Sequence, residues 1–202
     1  MKKIMFNDKY GLTAAVLEGR KTMTRRLVQS DNIVSITTSD GAVHHVDKTF
    51  GSYHEYMDND GKVWLAWSPY KVGEIVAVAQ AYKDINPNAD FEMVGNEFMT
   101  ETAGWTNKKF VRADLMPHQI QITDIQLERL QDISDEACLA EGVLKYRCII
   151  GFAGEYVIKA NNKPLLFHTP REAFAALIDK VSGKGIWENN PWVFAYEFKL
   201  VQ

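Results

Sequence analysis

The chain has 202 residues, of which 46% are hydrophobic and 24% are charged, and its formal net charge is −3. This length allows a hydrophobic core that needs no disulfide or metal. Ordinary hydrophobic content at low net charge excludes a wholly disordered chain, and no apolar run approaches the roughly 20 residues of a membrane helix. We expect a single domain over residues 1–202 with no membrane contact.

Two features bear on the cellular compartment. The apolar stretch after Lys2 and Lys3 is too short for the apolar core of an export signal. Cys138 and Cys148 are too few for a disulfide framework, and we expect them to be reduced thiols. These features predict a cytoplasmic protein.

Positive charge is concentrated at the start of the chain. Residues 1–30 contain seven Lys and Arg against two Asp and Glu, whereas the remainder contains 16 against 24. A basic segment on an acidic body indicates local binding of an anionic ligand, rather than coating of nucleic acid by the whole surface.

The hydrophobic pattern of the N-terminal half predicts mostly strands. A short strand at residues 3–6 precedes a helix over about residues 9–18, with Asn7 or Asp8 as its N-cap and Gly19 as its end. The further predicted strands are rich in β-branched and aromatic residues and lie at about residues 21–28, 33–36, 42–46, 53–57, 62–67 and 74–82. Turn residues at 39–41 and 59–61 predict that the strands flanking each turn form a hairpin.

A long loop and the clearest strand follow. Residues 83–109 have the composition of a loop, and residues 118–130 alternate as a strand with a bulge near Thr123. Ser134 is the predicted N-cap of a short helix that Gly142 ends.

The remaining elements settle the expected fold class. Residues 144–158 look extended but uneven, and Thr169 begins a helix with a capping box that runs to about Gly183. Residues 192–201 alternate as a final strand. The pattern predicts an α+β protein with a small, mainly antiparallel sheet or β-barrel and about three helices, rather than a doubly wound fold.

The densest candidate site is the sequence GRKTMTRR at residues 19–26. It places four cations and two hydroxyls close together, at Arg20, Lys21, Thr22, Thr24, Arg25 and Arg26. Arginines recognise phosphate or carboxylate with paired hydrogen bonds. A lysine among other cations holds its proton less tightly, so a neutral amine could take a proton from a threonine hydroxyl. The alternative interpretation is a solvated basic turn.

The spacing of Lys21 and Thr24 limits how they act together. In a strict strand, side chains three positions apart point to opposite faces. A joint role therefore requires that Lys21 lie in the bend between the helix and the strand.

Glu141 is predicted at the C-terminal end of the short helix, where the helix dipole disfavours a carboxylate. A carboxylate in that position indicates a cationic partner, and residues 20–26 offer several. The alternative is an ordinary surface glutamate.

Residues 50–70 hold six of the 23 aromatic residues of the chain, namely Phe50, Tyr53, Tyr56, Trp64, Trp67 and Tyr70. Exposed rings could stack on nucleobases or contact a protein partner. Buried rings would fill a hairpin that packs on the body, and this interpretation is favoured because aromatic rings dominate protein cores.

No metal or cofactor is expected. The histidines lack metal-ligand spacing with cysteines or carboxylates, at His44, His45, His54, His118 and His168. The sequence has no glycine-rich phosphate loop and no nucleophile elbow at a serine.

Several segments together resemble the ASCH family. They lie in the family's order at residues 4–17, 19–26, 69–76, 122–142 and 190–198. The element G-x-K-T-x-T-x-R at residues 19–26 carries much of the resemblance, and the closing N-P-W-V strand is similar to the longer, phage-associated members. The resemblance implies a PUA-like small β-barrel with insertions at about residues 29–67, 83–115 and 144–168.

The resemblance also implies a cleft for RNA or a modified nucleoside. One branch of the family is an amidohydrolase that removes the acetyl group of N4-acetylcytidine, and its catalytic residues fall on Lys21, Thr24 and Glu141. By this correspondence Thr24 is the nucleophile, Lys21 its base, and Glu141 a proton carrier or orienting group. The other polar residues of the segment would bind the ligand: Arg20, Thr22, Arg25 and Arg26.

These observations leave three hypotheses. The first is a module that binds RNA or a nucleotide through the basic segment, with an affinity that falls as salt rises. The second is an amidohydrolase acting on a modified nucleoside. The third is a phage-related interaction protein that uses the aromatic residues of 50–70. The low net charge argues against broad duplex binding and favours a small or single-stranded ligand.

Overall fold

The computed structural model of the chain describes residues 1–29, 33–36, 52–57, 63–146, 156–160 and 163–201. Its helices are α1 (Leu12–Leu17), α2 (Tyr82–Ile85), α3 (Asp135–Ala140), α4 (Pro170–Ser182) and α5 (Ile186–Asn189). Its strands are β1 (Lys3–Ile4), β2 (Met23–Leu27), β3 (Ile33–Ile36), β4 (Ser52–Met57), β5 (Val63–Ser68), β6 (Ile75–Val78), β7 (Met93–Val94), β8 (Glu97–Phe98), β9 (Gln119–Arg129), β10 (Leu144–Lys145), β11 (Tyr156–Ala160), β12 (Lys163–Phe167) and β13 (Trp192–Leu200).

A mixed sheet carries the fold, with strand order β1-β6-β9-β13-β2 in the described part of the chain. The pair β1 and β6 is parallel, and the other neighbours are antiparallel. The long strand β9 has a bulge at Thr123, because Glu197 pairs with Asp124 whereas Phe198 pairs with Ile122. The bulge expected from the broken alternation is therefore confirmed.

The sheet confirms the α+β class but leaves barrel closure as a prediction. Strands β1 and β2 form its two edges, and no pairing among the described residues joins them. Mainly antiparallel pairing agrees with the expectation of a fold that is not doubly wound.

A second sheet has the order β3-β5-β4. The predicted pairing of residues 53–57 with 62–67 is confirmed, since β4 and β5 are antiparallel neighbours. Strand β3 is also antiparallel to β5. Residues 42–46, the partner predicted for residues 33–36, and both predicted turns lie outside the described residues, so that pairing stays a prediction. A β-ladder can satisfy its backbone with any strand in reach, so a local turn signal does not determine the partner.

The described aromatic residues of the 50–70 segment pack on the body. Trp64 lies 5.4 Å from Trp192 between ring centres, and Tyr70 lies 5.3 Å from Tyr196. Trp67 is half-buried. The side chains of Phe50, Tyr53 and Tyr56 lie outside the described residues. The packing of Trp64 and Tyr70 agrees with the buried interpretation.

The predicted helix over residues 9–18 is divided in two. Asn7 caps a single 3-10 turn by accepting a hydrogen bond from the Lys9 backbone at 3.0 Å. Gly11, with φ of 67°, then breaks the chain direction before α1 begins. Only glycine takes such a conformation without strain. The prediction of one continuous helix over residues 9–18 is therefore wrong at Gly11.

Both capping predictions in the C-terminal half are confirmed. Ser134 accepts a hydrogen bond from the Ala137 backbone at 3.2 Å at the start of α3. Thr169 and Glu172 form the reciprocal capping box of α4. The single-turn helices α2 and α5 add to the three predicted helices. None of the described helices is long and apolar enough to cross a membrane.

The segment predicted as a loop at residues 83–109 contains α2, the β7–β8 hairpin and several 3-10 turns. Two of its apolar side chains, Ala89 and Met99, join residues on either side of the segment in a small cluster that is separate from the main core. The buried members of this cluster are Ala77, Ala79, Tyr82, Ala89, Met99, Val111 and Met116. The strand predicted to reach residue 82 ends at Val78, because Tyr82 already begins α2.

Candidate functional site

A pocket of about 680 Å³ opens between the start of β2, the end of α3 and helix α4. Its apolar lining comes from α4, at Phe174, Leu177, Ile178 and Val181, together with Leu12 and Phe6. Its polar lining includes Lys21, Thr24, Arg25, Arg26 and Glu141. The pocket thus combines apolar side chains with a small set of polar groups, as ligand sites commonly do.

The bend after α1 brings Lys21 into this pocket. Gly19, with φ of 71°, ends the helix, and the Lys21 backbone N–H donates to the Ala15 carbonyl at 2.9 Å. The Thr22 backbone N–H then donates to the Ala140 carbonyl of α3 at 3.0 Å. Because β2 begins only at Met23, Lys21 is outside the strand alternation and lines the same pocket as Thr24. The condition for a joint role is met.

Lys21 and Glu141 form a buried ion pair. Only 2% of Lys21 and 4% of Glu141 are exposed. The Lys21 Nζ donates to Glu141 Oε2 at 2.6 Å, to the Glu141 carbonyl at 2.7 Å and to the Met23 carbonyl at 2.7 Å. These acceptors suit an ammonium group. Burial nevertheless lowers the pKa of Lys21 from its ordinary value, although the Glu141 carboxylate acts to raise it.

Glu141 has the cationic partners expected from its position at the end of α3. Besides Lys21, Arg25 donates from Nη1 to Glu141 Oε1 at 3.3 Å. Gly142, with φ of 105°, turns the chain immediately afterwards. The ammonium of Lys21 on the Glu141 carbonyl also offsets the negative end of the helix dipole.

Thr24 and Arg26 present donors to the pocket. Among the described residues, no group hydrogen-bonds the Thr24 hydroxyl, although the residue is only 5% exposed. Arg26 donates from Nη2 to the Met5 carbonyl at 2.5 Å and lies 5.6 Å from the ring centre of Phe6. Its Nε is buried, and no acceptor in the described part of the chain pairs with it.

Two predicted binding residues lie elsewhere. Arg20 donates from Nε to Glu18 Oε2 at 2.7 Å and does not line the pocket, and Thr22 is exposed. The structure thus brings together Lys21, Thr24, Arg25, Arg26 and Glu141 from the predicted set, and it leaves Arg20 and Thr22 outside. The role of each residue stays a prediction.

Some pocket residues were not predicted. Lys108, from the segment expected to be a loop, donates to Asp8 Oδ1 at 2.7 Å, to Thr13 Oγ1 at 3.1 Å and to the Phe6 carbonyl. Nothing local in the sequence around Lys108 points to the start of α1, so this contact depends on the fold. The amphipathic pattern of α4 predicts a buried face but not what that face meets.

The described residues contain no group of three or more His, Cys, Asp or Glu placed to hold a metal ion. Comparisons of the chain with protein families, with curated proteins and with solved structures find no match. The functional assignment therefore depends on the chemistry of the pocket and on the resemblance carried by the sequence motifs.

Proposed function

We propose that the protein is a longer member of the ASCH class, with a PUA-like barrel, and that its pocket binds a nucleoside or nucleotide, free or within single-stranded RNA. The sequence motifs support the class, and the central sheet β1-β6-β9-β13-β2 would supply strands of the barrel. The third hypothesis, a protein-interaction role of the aromatic segment, gains no support from Trp64 and Tyr70, which pack on the body.

The observation that carries the proposal is the buried Nε of Arg26, a residue that lines the pocket, for which the described residues provide no acceptor. A buried donor without an acceptor costs about 1–3 kcal/mol. Nε is inaccessible in this structure, so a ligand carbonyl or phosphate oxygen would relieve this cost once the Arg26 guanidinium turns toward the pocket, while the apolar side chains of α4 would cover the face of a planar base. The pocket volume of about 680 Å³ is in the range of small-molecule sites.

The charge of the pocket favours an anionic ligand of limited size. Among the described residues that line it, Lys and Arg outnumber Asp and Glu by five to two, although the whole chain is acidic. However, Lys21 and Arg25 are already paired with carboxylates. Few cations remain for phosphates, so we expect a modest salt dependence rather than the steep one of a protein that covers a long nucleic acid.

Calorimetric titration with cytidine, N4-acetylcytidine and cytidine 5′-monophosphate tests binding. We expect Arg26→Gln to weaken the affinity for the bound probe by about 10- to 100-fold, because a hydrogen bond to a charged donor is worth about 1.5–3 kcal/mol. Arg112→Gln is the matched control, since Arg112 is exposed and pairs with Asp114 outside the pocket. Equal affinity of the wild type and Arg26→Gln for every probe would contradict the proposal.

A second candidate, hydrolysis of an acyl amide on a nucleobase, is favoured by the Lys21–Glu141 pair, which lines the same pocket as Thr24. Transfer of one proton from Lys21 Nζ to Glu141 Oε2, across 2.6 Å, gives a neutral pair that burial favours. The neutral amine can accept the Thr24 proton as Thr24 Oγ1 attacks the acyl carbon. The amide C–N bond then breaks, the returned proton goes to the leaving nitrogen, and water later cleaves the threonine ester.

Chromatography of N4-acetylcytidine incubated with the protein tests this candidate. We expect release of cytidine by the wild type and a loss of about 100-fold or more in Lys21→Ala and in Thr24→Val, since general base and nucleophile act in the same step. Thr24→Val keeps the shape of the side chain, so it separates chemistry from folding. Full activity of folded Thr24→Val would exclude the assigned nucleophile, and Arg112→Gln should behave as the wild type.

A further inference from the structure

Arg25 connects the pocket to Glu128, a residue that does not line it. The guanidinium donates from Nε to Glu128 Oε1 at 2.7 Å and from Nη1 to Glu141 Oε1 at 3.3 Å. Only 3% of the Arg25 side chain is exposed. Its Nε and one N–H of Nη1 are therefore committed to carboxylates of the protein itself. The ligand-binding role expected for Arg25 stays a prediction.

The strand register explains how Arg25 reaches Glu128. Arg25 and Thr24 are neighbours in β2, so they point to opposite faces of the sheet. Arg25 is opposite Ala195 of β13, and Ala195 is in turn opposite Gln126 of β9. Glu128 is two residues from Gln126 and shares its face. The methyl group of Ala195 leaves room for the arginine to extend across β13.

Because β2 is an edge strand of the sheet, the same guanidinium also reaches round to α3. The torsion that turns a glutamate carboxylate is soft, so one hydrogen bond does not fix the orientation of both oxygens. In Glu141, Arg25 contacts Oε1 and Lys21 contacts Oε2. Each oxygen therefore has its own cation.

We propose that Arg25 and Glu128 are positioning residues. Arg25 holds Oε1 of Glu141, so that Oε2 stays on Lys21, and Glu128 holds Arg25 in this place. The catalytic consequence of the proposal rests on the proposed hydrolysis, whereas its effect on the proton of Lys21 does not.

The charges around Lys21 define what the chain of ion pairs should do. Lys21 faces Glu141 at the end of α3 and the cations Arg25 and Arg26 of β2, with the Phe6 ring 5.8 Å from its Nζ. Glu128 does not hydrogen-bond Lys21; it is paired with Arg25 and also interacts electrostatically with Glu141, and we assign its influence on Lys21 to the path through Arg25. Loss of the Glu128 charge leaves Arg25 more strongly drawn to Glu141, and this weakens the hold of Glu141 on the Lys21 ammonium.

The test follows the titration of Lys21 by ¹³C NMR, with lysines labelled at Cε and the signal assigned from Lys21→Met. We expect Glu128→Gln to lower the midpoint for Lys21 and Arg25→Gln to raise it, each by about one pH unit. In the Arg25→Gln background, Glu128→Gln should have no further effect. A second cavity lies beside β9 and is lined by Arg25, Gln126, Glu128 and Asp132 among others. Asp132→Asn is the matched control, because Asp132 lines this second cavity with Glu128 but does not pair with Arg25.

A midpoint that Glu128→Gln leaves unchanged, or that it still moves when Arg25 is absent, would overturn the proposal. Glu128 is partly exposed, so Glu128→Gln is expected to fold even if Arg25→Gln does not. In that case the proposal is tested by comparing the Lys21 midpoint in Glu128→Gln with that in Asp132→Asn. If the wild type hydrolyses N4-acetylcytidine, Glu128→Gln should lower kcat about tenfold with KM within twofold, since it perturbs the reacting groups and not the ligand contacts. A wild type without hydrolysis would refute the proposed reaction and leave the titration result standing.

Discussion

At the residue scale, the site depends on charges that are buried together. Lys21 and Arg25 share the carboxylate of Glu141, and each of these side chains is almost fully enclosed. Removal of one partner from a buried pair leaves an uncompensated charge, whereas removal of both does not. The stability of the variants should therefore be strongly non-additive.

We expect Lys21→Met to lower the free energy of unfolding by about 3–5 kcal/mol. The double variant Lys21→Met with Glu141→Gln should be more stable than Lys21→Met alone, because it removes a buried carboxylate that would keep only its longer contact with Arg25. Urea unfolding of the two single variants and the double variant measures this coupling. Losses that simply add would show that the pair is not energetically coupled.

The sequence predicts the cationic partner of Glu141 but not the role of Glu128, and the difference has a physical reason. A carboxylate at the end of α3 conflicts with the helix dipole, and that conflict is visible in the sequence and pointed correctly to a cation. Glu128 shows no such conflict, since it alternates within an amphipathic strand like any half-exposed residue. Its partner Arg25 is found only when the register of β2, β13 and β9 is known.

At the element scale, the ends of α1 and α3 position the site. Gly19 ends one helix and Gly142 follows the other, both with positive φ. A Cβ on Gly142 would meet Leu12 Cδ2 at 3.2 Å and Lys21 Cδ at 3.7 Å. Gly142 therefore serves both the turn and the close approach of Lys21.

Gly142→Ala should lower the free energy of unfolding at least twice as much as Gly95→Ala does. Gly95 also has positive φ, at 67°, but a Cβ there meets nothing within 4 Å, so it reports backbone strain alone, about 1–2 kcal/mol. Thermal unfolding of both variants gives the comparison. Equal losses of stability in the two variants would mean that the Leu12 and Lys21 side chains move aside for the new Cβ without an energetic penalty.

Elements with local signals were predicted, and elements that depend on distant partners were not. Ser134, the Thr169 capping box and the Thr123 bulge each have a cause within a few residues. The pairing of β3 with β5 has no local cause, because any strand edge in reach can complete a ladder.

At the scale of the whole molecule, buried hydroxyl and thiol groups shape the stability at alkaline pH. Burial raises the pKa of Tyr196 to about 12, and that of Cys138 to about 12. The unfolded chain loses these protons first, near pH 10 and pH 9, while the folded protein keeps them, so stability falls as pH rises. The lowered pKa of Lys21 acts in the opposite direction below about pH 10.5.

Tyr196→Phe should reduce this alkaline loss. Between pH 8 and pH 11, the fall in the free energy of unfolding should be about 1 kcal/mol smaller than in the wild type. The variant also loses the 3.0 Å hydrogen bond to Ser68, so its stability at pH 8 is expected to be lower. Urea unfolding at both pH values measures the difference. If the free energy of unfolding fell equally in the variant and the wild type, ionisation of Tyr196 would not contribute to the alkaline loss of stability.

The most direct test of the ligand pocket is a titration of ¹⁵N-labelled protein with N4-acetylcytidine, cytidine and cytidine 5′-monophosphate, followed by two-dimensional NMR. We expect saturable shifts for at least one probe, centred on the backbone amides of Phe6, Thr24 and Leu177, with none in the second cavity around Gln126. Shifts centred on the β3-β5-β4 sheet, or a spectrum that none of the probes changes, would contradict the proposed ligand pocket.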